Sequence, residues 1–237
     1  MSIRKTSSSR TGGLLATIAA IVVAAPAHSQ APAIEWSLDD AIRQVERQVG
    51  DFQTAMARVE VVWTNSDGAE ESRTTGTTFI REDGRFRVRF DGGERETLVD
   101  RSTVMTYDKT ANLVKEYSVH SHPDRLEPYA RLGFSVTGKD LEDDFLLTIM
   151  GEDEIGSSRA LVLELTPEKE EVRQVVRNIR LYIDQASWMP VRQEISATAG
   201  GRTLTMTYSG MARNLKLNPE LFQENWPRGT DKERVRN

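Results

Sequence analysis

Residues 84–90, Gly84-Arg85-Phe86-Arg87-Val88-Arg89-Phe90, read GRFRVRF, with arginine and apolar residues alternating without a break. Successive side chains of a β-strand point to opposite faces. One face of this stretch therefore carries Phe86, Val88 and Phe90, and the other carries Arg85, Arg87 and Arg89. Beyond the turn Asp91-Gly92-Gly93, the next strand supplies Glu94 and Glu96. In an antiparallel hairpin these carboxylates lie across from the arginines, each pair contributing about 0.2–1 kcal/mol. The pairing predicts a solvated arginine face, the alternative being contact with a membrane or an anionic partner. The apolar row is then either ordinary core or the wall of a pocket.

Outward from this stretch the same period recurs. Residues 53–65, 74–81, 94–100, 103–107 and 113–119 read as strands, with tight turns such as Asn65-Ser66-Asp67-Gly68 and Glu82-Asp83-Gly84 between them. The second half repeats the meander at 145–150, 160–166, 176–184, 190–197 and 203–208. Alternation puts Leu161, Leu163 and Leu165 on one face, as it does Ile179, Leu181 and Ile183, and Leu204, Met206 and Tyr208. It also puts Val191 with Ile195. Helical material is scarce. Ser37 caps a helix with apolar residues at Leu38, Ile42, Val45, Val49 and Phe52. A helical stretch opens at His122-Pro123 and runs to about Leu132, and 140–145 is a short helix or the lead into a strand. So many one-faced antiparallel strands must hide their apolar side against one another. A sandwich and a curled half-barrel both do so, and only the second leaves room for a ligand.

The chain has 237 residues. Its first 29 carry Arg4, Lys5 and Arg10, then the short apolar run LLATIAAIVVAA, then small residues, the pattern of a cleaved signal peptide. The run is too short to read as a membrane span. There is no cysteine, hence no disulfide framework and no lipid anchor on an N-terminal cysteine. The net charge is −5, and residues 30–237 are more acidic still because the leader holds only basic residues. Such a balance opposes nucleic-acid binding, which needs phosphate neutralisation. The expected organisation is a signal peptide over 1–29, one domain over 30–230 and a charged, disordered tail over 231–237.

Catalytic motifs are absent: no thiol nucleophile, nucleophile elbow, phosphate loop or zincin motif occurs. His120 and His122 have strand spacing suited to a metal but lack a third ligand nearby. The acidic runs 142–144 and 152–154 lack the alternation and glycine of a calcium loop. No enzyme activity, cofactor or metal is expected.

The order of these pieces resembles the LolA family in its wider sense, the periplasmic outer-membrane lipoprotein carriers and sorting proteins. The resemblance spans about residues 37–230. It rests on the amphipathic helix, GRFRVRF, ERETLVDRSTVMTYD, EYSVHSHPDRLEPYARLGF, LYIDQASWMPVRQEI and the closing LFQENWPRGT. It implies a mainly β (α+β) fold: a curled antiparallel sheet forming an unclosed half-barrel, with an N-terminal helix and one or two short lid helices over an apolar cavity. The cavity would take the acyl chains of a lipoprotein or other lipid, shuttled through the periplasm to the outer membrane by a monomer. An inner-membrane releasing complex and an outer-membrane acceptor would be its partners. A lipid-sensing envelope-stress module is the alternative on the same fold. By position Phe86 falls on the cavity wall, with Val88 and Phe90 on its face. Ile80 joins them if it, rather than Phe79, points inward. Leu126, Tyr129, Ala130 and Leu132 are either lid contacts with the cavity or plain core under a loop. Typical carriers tie the lid with an arginine before the GRF turn, where this chain has Glu82 beside Arg81.

Overall fold

The computed structural model describes residues 36–100, 103–118, 122, 125–136 and 138–236. The expected signal peptide, His120 and Pro123 lie outside them.

Helix α1, Leu38–Gly50, starts where Ser37 accepts a hydrogen bond from the Asp40 amide at 3.1 Å. Its apolar stripe buries Ala41, Ile42 and Val45. Then come β1 (Thr54–Thr64), β2 (Glu70–Arg81), β3 (Phe86–Phe90), β4 (Arg95–Asp100), β5 (Thr103–Asp108) and β6 (Leu113–Ser118). A 3-10 turn, Glu127–Arg131, and helix α2, Gly138–Asp144, fill the middle. The expected helix up to Leu132 is thus only this tight turn. The second meander is β7 (Phe145–Ile155), β8 (Ser158–Pro167), β9 (Val176–Asp184), β10 (Pro190–Ala197) and β11 (Thr203–Arg213). β7 runs five residues beyond its expected end.

With β12 (Asp231–Arg234), all strands join one sheet in the order β12-β6-β5-β4-β3-β2-β1-β11-β10-β9-β8-β7, whose two ends are not bonded to each other. The curled, unclosed sheet, not the sandwich, is the outcome. The inner face carries the main core, with α1, α2 and the 3-10 turn packed on it. The backbones of β2 and β3 come close at one point. Gly76 stands opposite Phe90, and a Cβ there would collide with the Arg89 carbonyl oxygen. Only glycine permits that approach.

Two expectations are overturned. Residues 231–234 are not disordered: Asp231–Arg234 forms β12, parallel to β6. Lys232 and Arg234 reach Glu116 at 2.6 and 3.0 Å, so charge pairing with an edge strand orders the segment. Val191 does not share a face with Ile195. A register shift between Pro190 and Arg192 turns it toward the outer cluster of Ile155, Ala160, Val162 and Tyr182.

Candidate functional site

The site grows from the inner row of β3. Register sets Phe86 between Ile80 and Val99, Val88 between Thr78 and Thr97, and Phe90 beside Gly76. Small neighbours leave space above Val88. A cavity of about 210 Å³ opens there. Phe86, Val88 and Phe90 line it with Val61 and Trp63 of β1 and Leu204 and Met206 of β11. Thr97 of β4, Thr106 of β5, and Arg95 and Arg125 supply its polar side.

The other expected residues are placed as follows. Ile80 faces inward, 2% exposed, whereas Phe79 lies on the outer side beneath the Arg89 guanidinium at 5.8 Å. Leu126, Ala130 and Leu132 are buried in the main core, with Tyr129 partly buried against it. Neither these four nor Ile80 is on the cavity's lining. Burial pushes the Tyr129 phenol above its ordinary range. Arg95, Thr97, Thr106 and Arg125 were not singled out from the sequence, although Arg95, Thr97 and Val99 share the period that picked out Phe86. Leu204 and Met206 were placed on one face but not at a cavity.

The segment that carries Leu132 is tied at a different place from the one the resemblance implies. Glu82 is exposed, and Arg81 bonds Asp83 and sits 5.0 Å from the Phe222 ring. Gln193, fully buried on β10, instead donates its side-chain amide to the Leu132 carbonyl. The Tyr208 hydroxyl donates back to Gln193 Oε1 at 2.7 Å, and Phe134 meets the Tyr208 ring edge-on at 5.2 Å. Burial drives the Tyr208 phenol far upward, so it stays a donor at every working pH. Gly133 fixes the chain's exit: at φ +81° its missing Cβ would lie 2.8 Å from Pro190 Cγ. On the far side Arg125 Nη2 reaches Glu127 at 2.9 Å and donates to Thr106 Oγ1 at 3.3 Å.

The arginine face also departs from expectation. Arg85 pairs with Asp100 at 2.8 Å, and Glu96 pairs with Arg87 at 2.5 Å and Arg89 at 3.4 Å; Glu94 takes no part. Arg87 is not solvated but 2% exposed. The segment from Pro219–Phe222 to Trp226 crosses over it. Arg87 donates to the carbonyls of Leu221 and Gln223, both at 2.7 Å, and stacks 4.8 Å from the Trp226 ring. Burial lowers its pKa and Glu96 opposes that shift, so the buried charge is compensated.

His122 is buried, its Nδ1 3.2 Å from the Ser118 carbonyl and its ring edge-on to Tyr117. Among the described residues no group of three His, Asp or Glu is placed to hold a metal. Glu152 of the second acidic run accepts from Arg159 at 2.6 Å and Gln185 at 2.8 Å.

No family model and no curated protein matches the chain. Among solved structures it is similar to an uncharacterized conserved protein from Thermus thermophilus, at 14% identity and a TM-score of 0.51, over 84% of this chain and 100% of that one. It is also similar to a DUF1329 family protein from Desulfovibrio piger (13% identity, TM-score 0.47, 78% and 95% of the two chains). A third is a LolA superfamily protein from Nitrosomonas europaea (13%, 0.40, 77% and 97%). At these identities the likeness is one of fold.

Proposed function

We propose that this chain is a periplasmic carrier that receives acyl chains of a lipoprotein or other lipid in the cavity of its curled sheet and moves them toward the outer membrane. One observation carries the reading: Phe86, Val88 and Phe90 converge on a single cavity beneath a tied lid. A carrier needs apolar walls and a way to let go, and it needs no nucleophile. Each buried CH₂ contributes about 0.8 kcal/mol, so a sixteen-carbon chain would gain roughly 12 kcal/mol and never leave. At about 210 Å³ the cavity is smaller than the ~300 Å³ at which ligand pockets begin. Full loading must therefore displace lid contacts, Leu126 and Leu132 among them, and their loss offsets part of the gain. Ile80 would extend the wall once the lid lifts, and Tyr129 would follow the lid. The working unit is a monomer that meets one membrane complex for loading and another for release.

The test is native mass spectrometry of protein taken from a periplasm, with uptake of a fluorescent fatty acid measured in parallel. Bound lipid is expected, and Phe86→Glu should abolish uptake while circular dichroism stays unchanged. Lipid-free protein that also excludes the probe would end this reading.

A regulatory module that contacts another protein is the second reading, favoured by Leu146 and Met150. They stand 58% and 50% exposed on the outer face of β7, an edge strand with one unpaired side. Recovery of a signalling protein instead of lipoproteins in a pull-down, lost on Leu146→Lys, would favour it.

A further inference from the structure

An acyl chain alone asks only for apolar walls, yet this cavity has a charged side. Alternation along β4 carries Arg95 onto the inner face with Thr97 and Val99. The described arginines of β2, of β3 and of the turn between them are all ion-paired: Arg73, Arg81, Arg85, Arg87 and Arg89. Arg95 has no carboxylate partner among the described residues; its guanidinium lies 5.5 Å from the Phe90 ring. Arg125 faces it from the lid. Its Nη2 is committed to Glu127 and Thr106, and its plane sits 4.4 Å from the Tyr117 ring. Its Nε is buried and has no acceptor. Two guanidinium groups against the single carboxylate of Glu127 leave this lining cationic.

We infer that the cavity selects a single-chain amphiphile with an anionic head, a carboxylate or a phosphate, held between Arg95 and Arg125 with its chain against Phe86, Val88 and Met206. This rests on the acyl-chain reading above and narrows its cargo. The diacylglyceryl end of a lipoprotein carries no such charge, so it would not use the two arginines. Planar guanidinium groups suit both head groups, because each offers paired oxygens to a fork of donors.

The experiment titrates the delipidated full-length mature protein with palmitate, single-chain lysophosphatidate and neutral monopalmitin below their micellar concentrations. Calorimetry reads affinity. Palmitate or lysophosphatidate should bind at least about tenfold tighter than monopalmitin, as charge-assisted hydrogen bonds require. The tighter of the two identifies the head-group source. The preference should shrink with added salt and fall below about threefold in Arg95→Gln. Arg95→Glu should reverse it. Arg95 is exposed, so both variants should melt with the parent protein. Equal affinity for monopalmitin in the parent, or a preference unchanged in Arg95→Gln, overturns the head-group inference and leaves the acyl cavity standing. Failure of all three probes to bind overturns the cavity reading itself.

Discussion

Two cross-strand rows on the inner face of the same sheet show how residue volume alone divides it. In the second meander Leu165, Ile179, Ile195 and Leu204 stand side by side from β8 to β11, each fully buried. In the first, Thr78, Val88, Thr97 and Thr106 occupy the corresponding row from β2 to β5. Both rows obey the same alternation, and both curl toward the core. Leu165, Ile179 and Ile195 fill the concavity on their side, helped by α1 and α2 against β7, and Leu204 at the end of the row borders the cavity. The threonine row is too short in side chain to do so, and the cavity is what remains. The sheet thus has a half that is filled and a half that leaves a cavity.

The largest effect should come from the closed half. Ile179→Ala removes a fully buried side chain from the middle of the filled row and should cost about 2–5 kcal/mol in urea unfolding. Probe affinity measured on the folded fraction should stay the same. A loss of affinity equal to that of Phe86→Glu would show that the halves are not separate.

Gln193 links them, since it sits in the closed half's strands and holds the lid of the open half. Gln193→Leu leaves the Leu132 carbonyl without its side-chain donor and the Tyr208 hydroxyl with only Met206 Sδ at 3.8 Å, and should cost about 1–3 kcal/mol. Amide exchange should quicken in residues 126–134 before it does in β8 or β9. Adding Tyr208→Phe should then cost less than it does alone, because its partner is already gone. Full additivity would mean that no such linked tie exists.

What the sequence discloses follows from how local each cause is. Alternation is local, so the inner row of GRFRVRF, the three leucines of β8 and the burial of Ile179, Leu181 and Ile183 are all legible. The Glu96 pairing is legible too, because a short turn fixes its register. Arg87 is different. Its cover is a segment 134 residues later, and nothing near residue 87 announces it. Val191 was misplaced because a one-residue register shift reverses the face while leaving the composition unchanged. Gln193 left a faint signal, a polar residue two before Ile195 on the inward row, and its partner Leu132 comes from a turn with no periodicity to read. The cavity itself was half legible. Its aromatic wall followed from pattern, whereas its polar side depended on asking why threonines occupy inward positions.

A third change tries to convert the open half into the closed one. Thr97 is 8% exposed, lines the cavity and has Val88 and Thr106 across from it. Thr97→Leu adds apolar volume to empty space, at about 0.8 kcal/mol per buried methylene. Stability should hold or rise by up to ~1 kcal/mol, while fatty-acid uptake falls at least tenfold. A drop in stability beyond about 1 kcal/mol would mean the space is already filled and the contrast between the rows is wrong.

The smallest effect concerns the sheet's two edges, which differ as the halves do. β7 ends the closed half with one side unpaired, while β12 covers β6 at the other end through Lys232, Arg234 and Glu116. Lys232, and after it Arg234, holds the Glu116 carboxyl below its ordinary range. A carboxylate lowered in the folded state contributes fully above its unfolded pKa and loses that contribution as pH falls through the folded one. Amide exchange of residues 231–235 should therefore accelerate, relative to the intrinsic rate, as pH drops from 6 to 3. Glu116→Gln should show the fast exchange at pH 6 and little further change on acidification. Global stability should move by only ~0.2–1 kcal/mol, because these side chains are partly in water. A global unfolding transition coincident with the release of β12 would show that this edge is integral to the open half rather than a cover laid over it.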